Sequence, residues 1–147
     1  MGWELEDVEK PFIAQLKMLG WTHIEGHLDD PATTSRAHFA QVVQESVLRE
    51  QLRTLNPGPE GQPWLDDARL AEAVAAIIRL GAVKPMEANA KATELLIKGL
   101  TVEGLPGWSG GRGQTIRYID WDTPTNNRFT VINQYRVDCP PGFNAAK

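Results

Sequence analysis

The chain has 147 residues, 41% of them hydrophobic, which is enough for one domain with a real core and argues against a disordered tail. Its net charge of -4 excludes a global positive field, so any nucleic-acid contact has to come from a local basic patch. Cys139 is the only cysteine, which excludes an internal disulfide and a cysteine-based zinc site and fits a reducing cytosol; it reads as a bystander rather than a reactive thiol.

The N-terminus, Met1 to Asp7, is acidic and lacks the basic start and apolar run of a signal peptide. The longest apolar-rich stretch, Ala73 to Ile78, is broken by Arg79 and is far shorter than the roughly 20 residues that span a bilayer. A soluble, cytoplasmic protein without membrane contact is expected.

Leu5, Val8, Phe12, Ile13, Leu16 and Leu19 fall on one arc of a helical wheel, with Gly20 as a stop, and predict a helix over about residues 5–19. A polar loop is expected from His23 to Ser35. Phe39, Val42, Val43, Val47, Leu48 and Leu52 predict a second helix from about His38 to Leu55, which Asn56-Pro57-Gly58-Pro59 ends. Asp66 and Asp67 offer an N-cap for a third helix carrying Leu70, Val74, Ile77 and Ile78 up to Gly81. Pro85 opens a fourth, whose expected buried face is Met86, Ala90, Leu96 and Ile97 and whose stop is Gly99.

Beyond Gly99 the period changes. Leu100-Thr101-Val102 is a short strand candidate, Leu105 to Gly113 a glycine-rich loop, and Thr115 to Asp120 is rich in β-formers. A turn at Asp122 to Asn127 leads to Phe129 through Val137, which alternates with period two, and these last two segments are expected to pair as an antiparallel hairpin. The expected organisation is helical over 1–99, β-rich over 100–138 and a connector over 139–147, which leads to the expectation that the natural chain continues. The fold class is α/β: N-terminal helices followed by the opening strands of an unfinished sheet.

Several short motifs recur in one order: Val8-Glu9-Lys10-Pro11 with Leu19-Gly20-Trp21; Leu48-Arg49-Glu50 and Leu55-Asn56-Pro57; Trp64 through Arg69; Glu87-Ala88-Asn89 with Ala92 to Leu96; Gly99 through Gly107; Arg117 through Asp122; and Asn126-Asn127 with Phe129, Val131 and Asn133-Gln134. In this order and spacing the chain resembles the N-terminal region of type I restriction-modification enzyme R subunits over nearly its whole length. The resemblance implies a restriction-endonuclease-like domain, ATP-dependent DNA translocation and Mg²⁺-dependent DNA cleavage in the full-length enzyme, with methyltransferase and specificity subunits and DNA as partners. In that family the catalytic residues are a Pro-Asp and a Glu-x-Lys on later strands, so the main catalytic Asp, Glu and Lys are expected beyond Lys147. No Asp or Glu here stands two residues before a Lys, and no Gly-x-x-x-x-Gly-Lys-Ser/Thr phosphate loop is present. The 147-residue chain alone is expected to be inactive and to need neither Mg²⁺ nor ATP. The alternative is a non-catalytic DNA- or protein-binding module.

Glu9 is the carboxylate of most interest, because it falls inside the apolar arc of the first helix, where a lone carboxylate costs several kcal/mol without a partner. The resemblance gives it a possible place on the metal side of the nuclease site; the structural reading is a salt bridge or a hydrogen bond to backbone. Asp120 and Asp122 read as turn caps ahead of metal ligands. His23 and His27 lack a third ligand nearby in sequence. For DNA, Gly110 to Gln114 offers backbone donors together with Arg112, and Arg117 and Arg128 flank the same predicted hairpin, as phosphate contacts or as an ordinary loop. Arg49 and Arg53 read as a solvated face. The strand 129–137 is expected to have an exposed edge that recruits a second copy or is covered by the tail from Cys139.

Overall fold

The computed structural model describes residues 3–82, 84–108 and 112–139. They form two compact units, one from the N-terminal segment up to Gln44 together with the segment from Arg128 onward, the other from Glu45 to Asn127. The fold is α/β.

In the first unit the chain opens with a π-helical turn, Leu5–Glu9, that continues as α1, Lys10–Met18. The Lys10 amide bonds back five residues to Leu5 O, and this wider turn brings Leu5, Glu9, Ile13 and Leu16 to the half-buried side. Strand β1, Thr22–Glu25, pairs in parallel with the strand Thr130–Asn133 (β4, after β2 and β3 of the other unit), running from Thr22 opposite Thr130 to Glu25 opposite Asn133. The pair is closed at both ends, by the Thr22 amide donating to Phe129 O at 2.9 Å and the Gly26 amide donating to Asn133 O at 3.0 Å. Trp21 and Phe129 meet at one end with ring centroids 5.2 Å apart. At the other end the approach is so close that a Cβ on Gly26 would lie 2.5 Å from Gln134 O. Gln134 then takes a left-handed backbone, φ 52°, which ends the strand.

The segment after β4 folds against the loop after β1. The buried Arg36 donates to Thr34 Oγ1 at 2.8 Å and Gln41 O at 2.9 Å, and its guanidinium lies 3.8 Å over the Tyr135 ring. Tyr135 Oη donates to Val42 O at 2.7 Å, and Arg136 stacks on Phe39 at 4.4 Å while donating to Leu28 O at 2.7 Å.

The second unit contains α2, Glu45–Leu55; α3, Asp67–Ile78; α4, Pro85–Lys98; and the antiparallel strands β2, Leu100–Glu103, and β3, Gly113–Ile116, with Leu100 opposite Ile116. Its core joins Leu52, Trp64, Leu70, Val74, Val102 and Ile116. Leu70 and Ile116 are fully buried, each contributing about 1.5–3 kcal/mol by leaving water. Polar side chains tie these elements through their backbones. Asn56 Nδ2 donates to Leu52 O and Arg117 O, and its Oδ1 accepts from the Arg117 amide, all at 2.8 Å. Trp64 Nε1 donates to Asn56 O at 2.9 Å, Arg69 reaches Glu103 O and Gly104 O at 2.8 and 3.0 Å, and Tyr118 Oη donates to Ala73 O at 2.7 Å. Asp66 caps α3 by accepting from the Arg69 amide at 2.9 Å.

Five expectations are corrected. The hairpin of Thr115 to Asp120 with Phe129 to Val137 does not form: β3 pairs with β2 and β4 with β1, because the turn between them is locked by side chains and leads the chain into the other unit. The loop expected from His23 begins instead with β1, since Thr22–Glu25 finds a partner more than a hundred residues away. The second helix begins at Glu45, not His38. Gln41 and Gln44 side chains bond to Ala37 N, Val43 O and Thr34 O, and Asp138 N donates to Phe39 O, so this backbone is satisfied without helix. The period-two strand is only four residues long because Gln134 turns left-handed. Finally, α4 turns Ala88, Ala92 and Leu95 inward, half-buried at i, i+4, i+7, and leaves Met86, Ala90, Leu96 and Ile97 exposed.

Candidate functional site around Glu9

Glu9 closes the π-helical turn and is half-buried. Its partners come from the end of β4: Asn133 Nδ2 donates to Oε2 at 3.3 Å, and Gln134 Nε2 donates to Oε1 at 3.2 Å and Oε2 at 3.4 Å. Among the described residues the carboxylate is therefore held by side-chain amides, neither by a cation nor by backbone. Because a carboxylate only accepts, Asn133 must turn its amide nitrogen to Glu9 and its Oδ1 to His23, whose Nε2 lies 2.8 Å away. His23 Nε2 thus carries a proton, and in the neutral ring Nδ1 is the bare nitrogen. The result is a directed chain, His23 to Asn133 to Glu9.

A cleft of about 380 Å³ runs beside α1 and is lined by Lys10, Lys17, His23, Glu25 and Asn133 over the apolar Leu5 and Ile13. Glu9 does not line it and reaches it through Asn133. Lys10 is ion-paired with Glu6, while Lys17 has no ion pair among the described residues. Such a cleft can take an anionic group between two ammonium ions. A Mg²⁺ ion needs several oxygen ligands, and the described residues contain no group of three or more His, Cys, Asp or Glu placed to hold a metal. The amides of Asn133 and Gln134 turn their N–H groups to Glu9, and Asn133 Oδ1 is taken up by His23. These residues alone do not fit a Mg²⁺ site.

Asp120 is buried and sits at the centre of a turn. It accepts from Asn126 Nδ2 at 2.9 Å, Thr123 N at 3.0 Å and Asp122 N at 3.2 Å, with Arg117 Nη1 at 3.4 Å. The Asn126 hydrogen bond first, then the backbone amide of Thr123, holds its carboxyl below the usual carboxylate range. Its role is that of a turn anchor. His27 is exposed and accepts from the Asp29 amide through Nδ1. Arg53 pairs with Asp67 at 3.2 Å.

Of the residues considered for DNA, Arg117 directs its guanidinium to Leu55 O at 3.2 Å and to Asp120, and is about half-exposed. Arg112 and Arg128 are exposed. Arg112 and Arg117 flank β3 in one unit and Arg128 precedes β4 in the other, so no shared hairpin groups them. Gly110 and Gly111, and the tail after Cys139, lie outside the described residues. Asn133, Gln134 and Gly26 were missed as site residues by sequence reasoning, and His23 was weighed only as a metal ligand. The one available signal was the motif Asn133-Gln134 in the same pattern as Glu9, which marks a pair but not its contact.

The sequence of the site elements has a counterpart among known families. Residues 4–146 match the family described as type I restriction enzyme R protein N terminus. The chain belongs to that family and is the N-terminal region of a type I restriction enzyme R subunit. No curated protein and no solved structure matches it. Among the described residues no helix is long and apolar enough to cross a membrane.

Proposed function

We propose that the chain forms one wall of the DNA-cleaving domain of a type I restriction enzyme, with the Glu9 carboxylate and the neighbouring lysine-lined cleft turned toward a DNA phosphodiester. In the parent enzyme this domain would work with ATP-dependent DNA translocation, Mg²⁺-dependent endonucleolytic cleavage, and the methyltransferase and specificity subunits. The observation that carries the reading is the half-buried carboxylate held by three amide contacts beside Lys10 and Lys17, in a chain of this family. A purely structural carboxylate gains most from a cation partner, whereas amide donors fix its direction and leave its charge available. Lys10 and Lys17 would bind backbone phosphate, and Asn133 with Gln134 would orient Glu9.

The experiment is Glu9→Gln in the full-length R subunit assembled with its partner subunits. Cleavage is expected to fall by about 10–100-fold, the usual effect of removing a group that orients a reacting site from just outside it, while ATP hydrolysis and translocation persist. Unchanged cleavage would leave Glu9 as a structural group. Loss of DNA binding without any change in cleavage per bound complex would favour a binding module.

A further inference from the structure

A second cavity, of about 510 Å³, opens where the end of α3 meets α4 and β2. Its floor is apolar, formed by Ala76, Leu80 and Leu95, and its rim carries Arg79, Lys91 and Lys98 against a single carboxylate, Glu94. We propose that this cavity binds a nucleotide through its phosphate, with the sugar or base against the apolar floor. The inference lies beyond the proposed function and uses none of the residues around Glu9.

The cations are available. Lys91 pairs with Glu87 at 2.8 Å and Lys98 with Glu94 at 3.0 Å, but all four side chains are more than half exposed. Exposed i, i+4 pairs of this kind contribute little, so either ammonium can turn to a phosphate at small cost. The Arg79 side chain has no hydrogen bond or ion pair among the described residues, and its planar fork suits bidentate contact with phosphate oxygens.

Helix-end electrostatics accounts for part of this pattern, since Lys98 lies in the last turn of α4 and Arg79 caps α3. It does not account for Lys91, which sits mid-helix, or for the concave apolar floor. Among the lining residues three full positive charges face one carboxylate and two helix ends of about half a charge each, while Glu87, which pairs with Lys91, lies outside the lining. The wall is also fixed. Gly99, at φ 77°, carries the chain from α4 into β2 so tightly that a Cβ would lie 2.5 Å from Ile116 O. The volume falls in the range of about 300–1,000 Å³ common to small-molecule sites, which combine apolar walls with a few polar anchors. In a chain of net charge -4, a rim of this sign selects an anion locally.

The test is amide-resolved NMR titration of the 147-residue chain with 5′-deoxyadenosine monophosphate, with deoxyadenosine, and with a short DNA duplex. The monophosphate is expected to shift amides of residues 76–80 and 94–101 saturably, with a dissociation constant near about 10⁻⁴ M, and deoxyadenosine is expected not to. Arg79→Gln and Lys98→Gln should each weaken binding several-fold with the chain still fully folded, because both side chains are exposed, and Arg79→Lys should restore part of it. The same shifts with the duplex alone would identify nucleotides within DNA as the source. No saturable shift with either phosphate-bearing probe overturns the proposal, as do equal shifts with deoxyadenosine or shifts undiminished in Arg79→Gln. Because Glu9→Gln cleavage is read separately in the assembled enzyme, failure here and failure of the nuclease reading are distinguishable.

Discussion

Gly26→Ala probes how the fold builds the Glu9 site. Gly26 is not among the residues at positive φ, so its backbone admits alanine, and the stiffer unfolded chain alone would favour the variant by about 0.4–1 kcal/mol. The new methyl group, however, would meet Gln134 O at 2.5 Å and Asn133 O at 2.9 Å. Both are backbone atoms that cannot rotate aside, and relieving such overpacking costs about 1–3 kcal/mol. The net expectation is a loss of about 1–2 kcal/mol in the β1–β4 pair, or amide exchange faster by about 5–30-fold. The site should suffer further, because the amide contacts on Glu9 are already 3.2–3.4 Å long, at the far end of the normal range, and a shift of a few tenths of an ångström breaks them. Hydrogen exchange of the Thr22–Gly26 and Thr130–Asn133 amides, with the side-chain amide signals of Asn133 and Gln134, reads both effects. Wild-type exchange together with unmoved side-chain signals would refute the claim that this close approach sets the site.

Asn56→Leu removes three 2.8 Å hydrogen bonds from a buried residue and strands the Arg117 amide, so stability should fall by about 2–4 kcal/mol, read as a lower urea midpoint. Asp120 has a lowered carboxyl pKa, so its ionised form contributes stability above the ordinary value of about 4 and loses it as pH falls through the lowered one; Asp120→Asn should be less stable than the wild type at neutral pH, with the gap closing in acid. Burial first, and Glu72 second, push the Tyr118 hydroxyl up to about 12, so its contribution is complete below about 10 and lost as pH rises through the folded value; Tyr118→Phe should remove the tyrosinate absorbance step near about 12. The 147-residue chain, lacking an Asp/Glu-x-Lys triplet and a phosphate loop, should neither nick plasmid DNA with Mg²⁺ nor hydrolyse ATP, and should bind a short duplex no more tightly than about 10⁻⁴ to 10⁻⁶ M; nicking that survives repurification, or nanomolar binding at physiological salt, would contradict this.

The sequence by itself determined what local rules decide. The family could be read from its ordered motifs, and the α3 cap at Asp66, the stop at Gly99, the strand at Leu100 and the turn role of Asp120 follow from side chains acting within a few residues of themselves. It also marked Glu9 as a carboxylate in need of a partner. Tertiary structure decided which partner, because Asn133 and Gln134 lie more than a hundred residues away and reach Glu9 only after β4 pairs in parallel with β1. A four-residue strand such as Thr22–Glu25 carries too little periodicity to announce itself, and its pairing is a long-range event. The same reason hid the roles of Asn56, Arg69, Arg117 and Tyr118, which bond to backbone atoms of distant segments. It also hid the inward face of α4, where Ala88, Ala92 and Leu95 are half-buried and Met86, Leu96 and Ile97 stay exposed. Helical periodicity gives a helix its stripe, but which stripe turns inward is settled by the surface it meets.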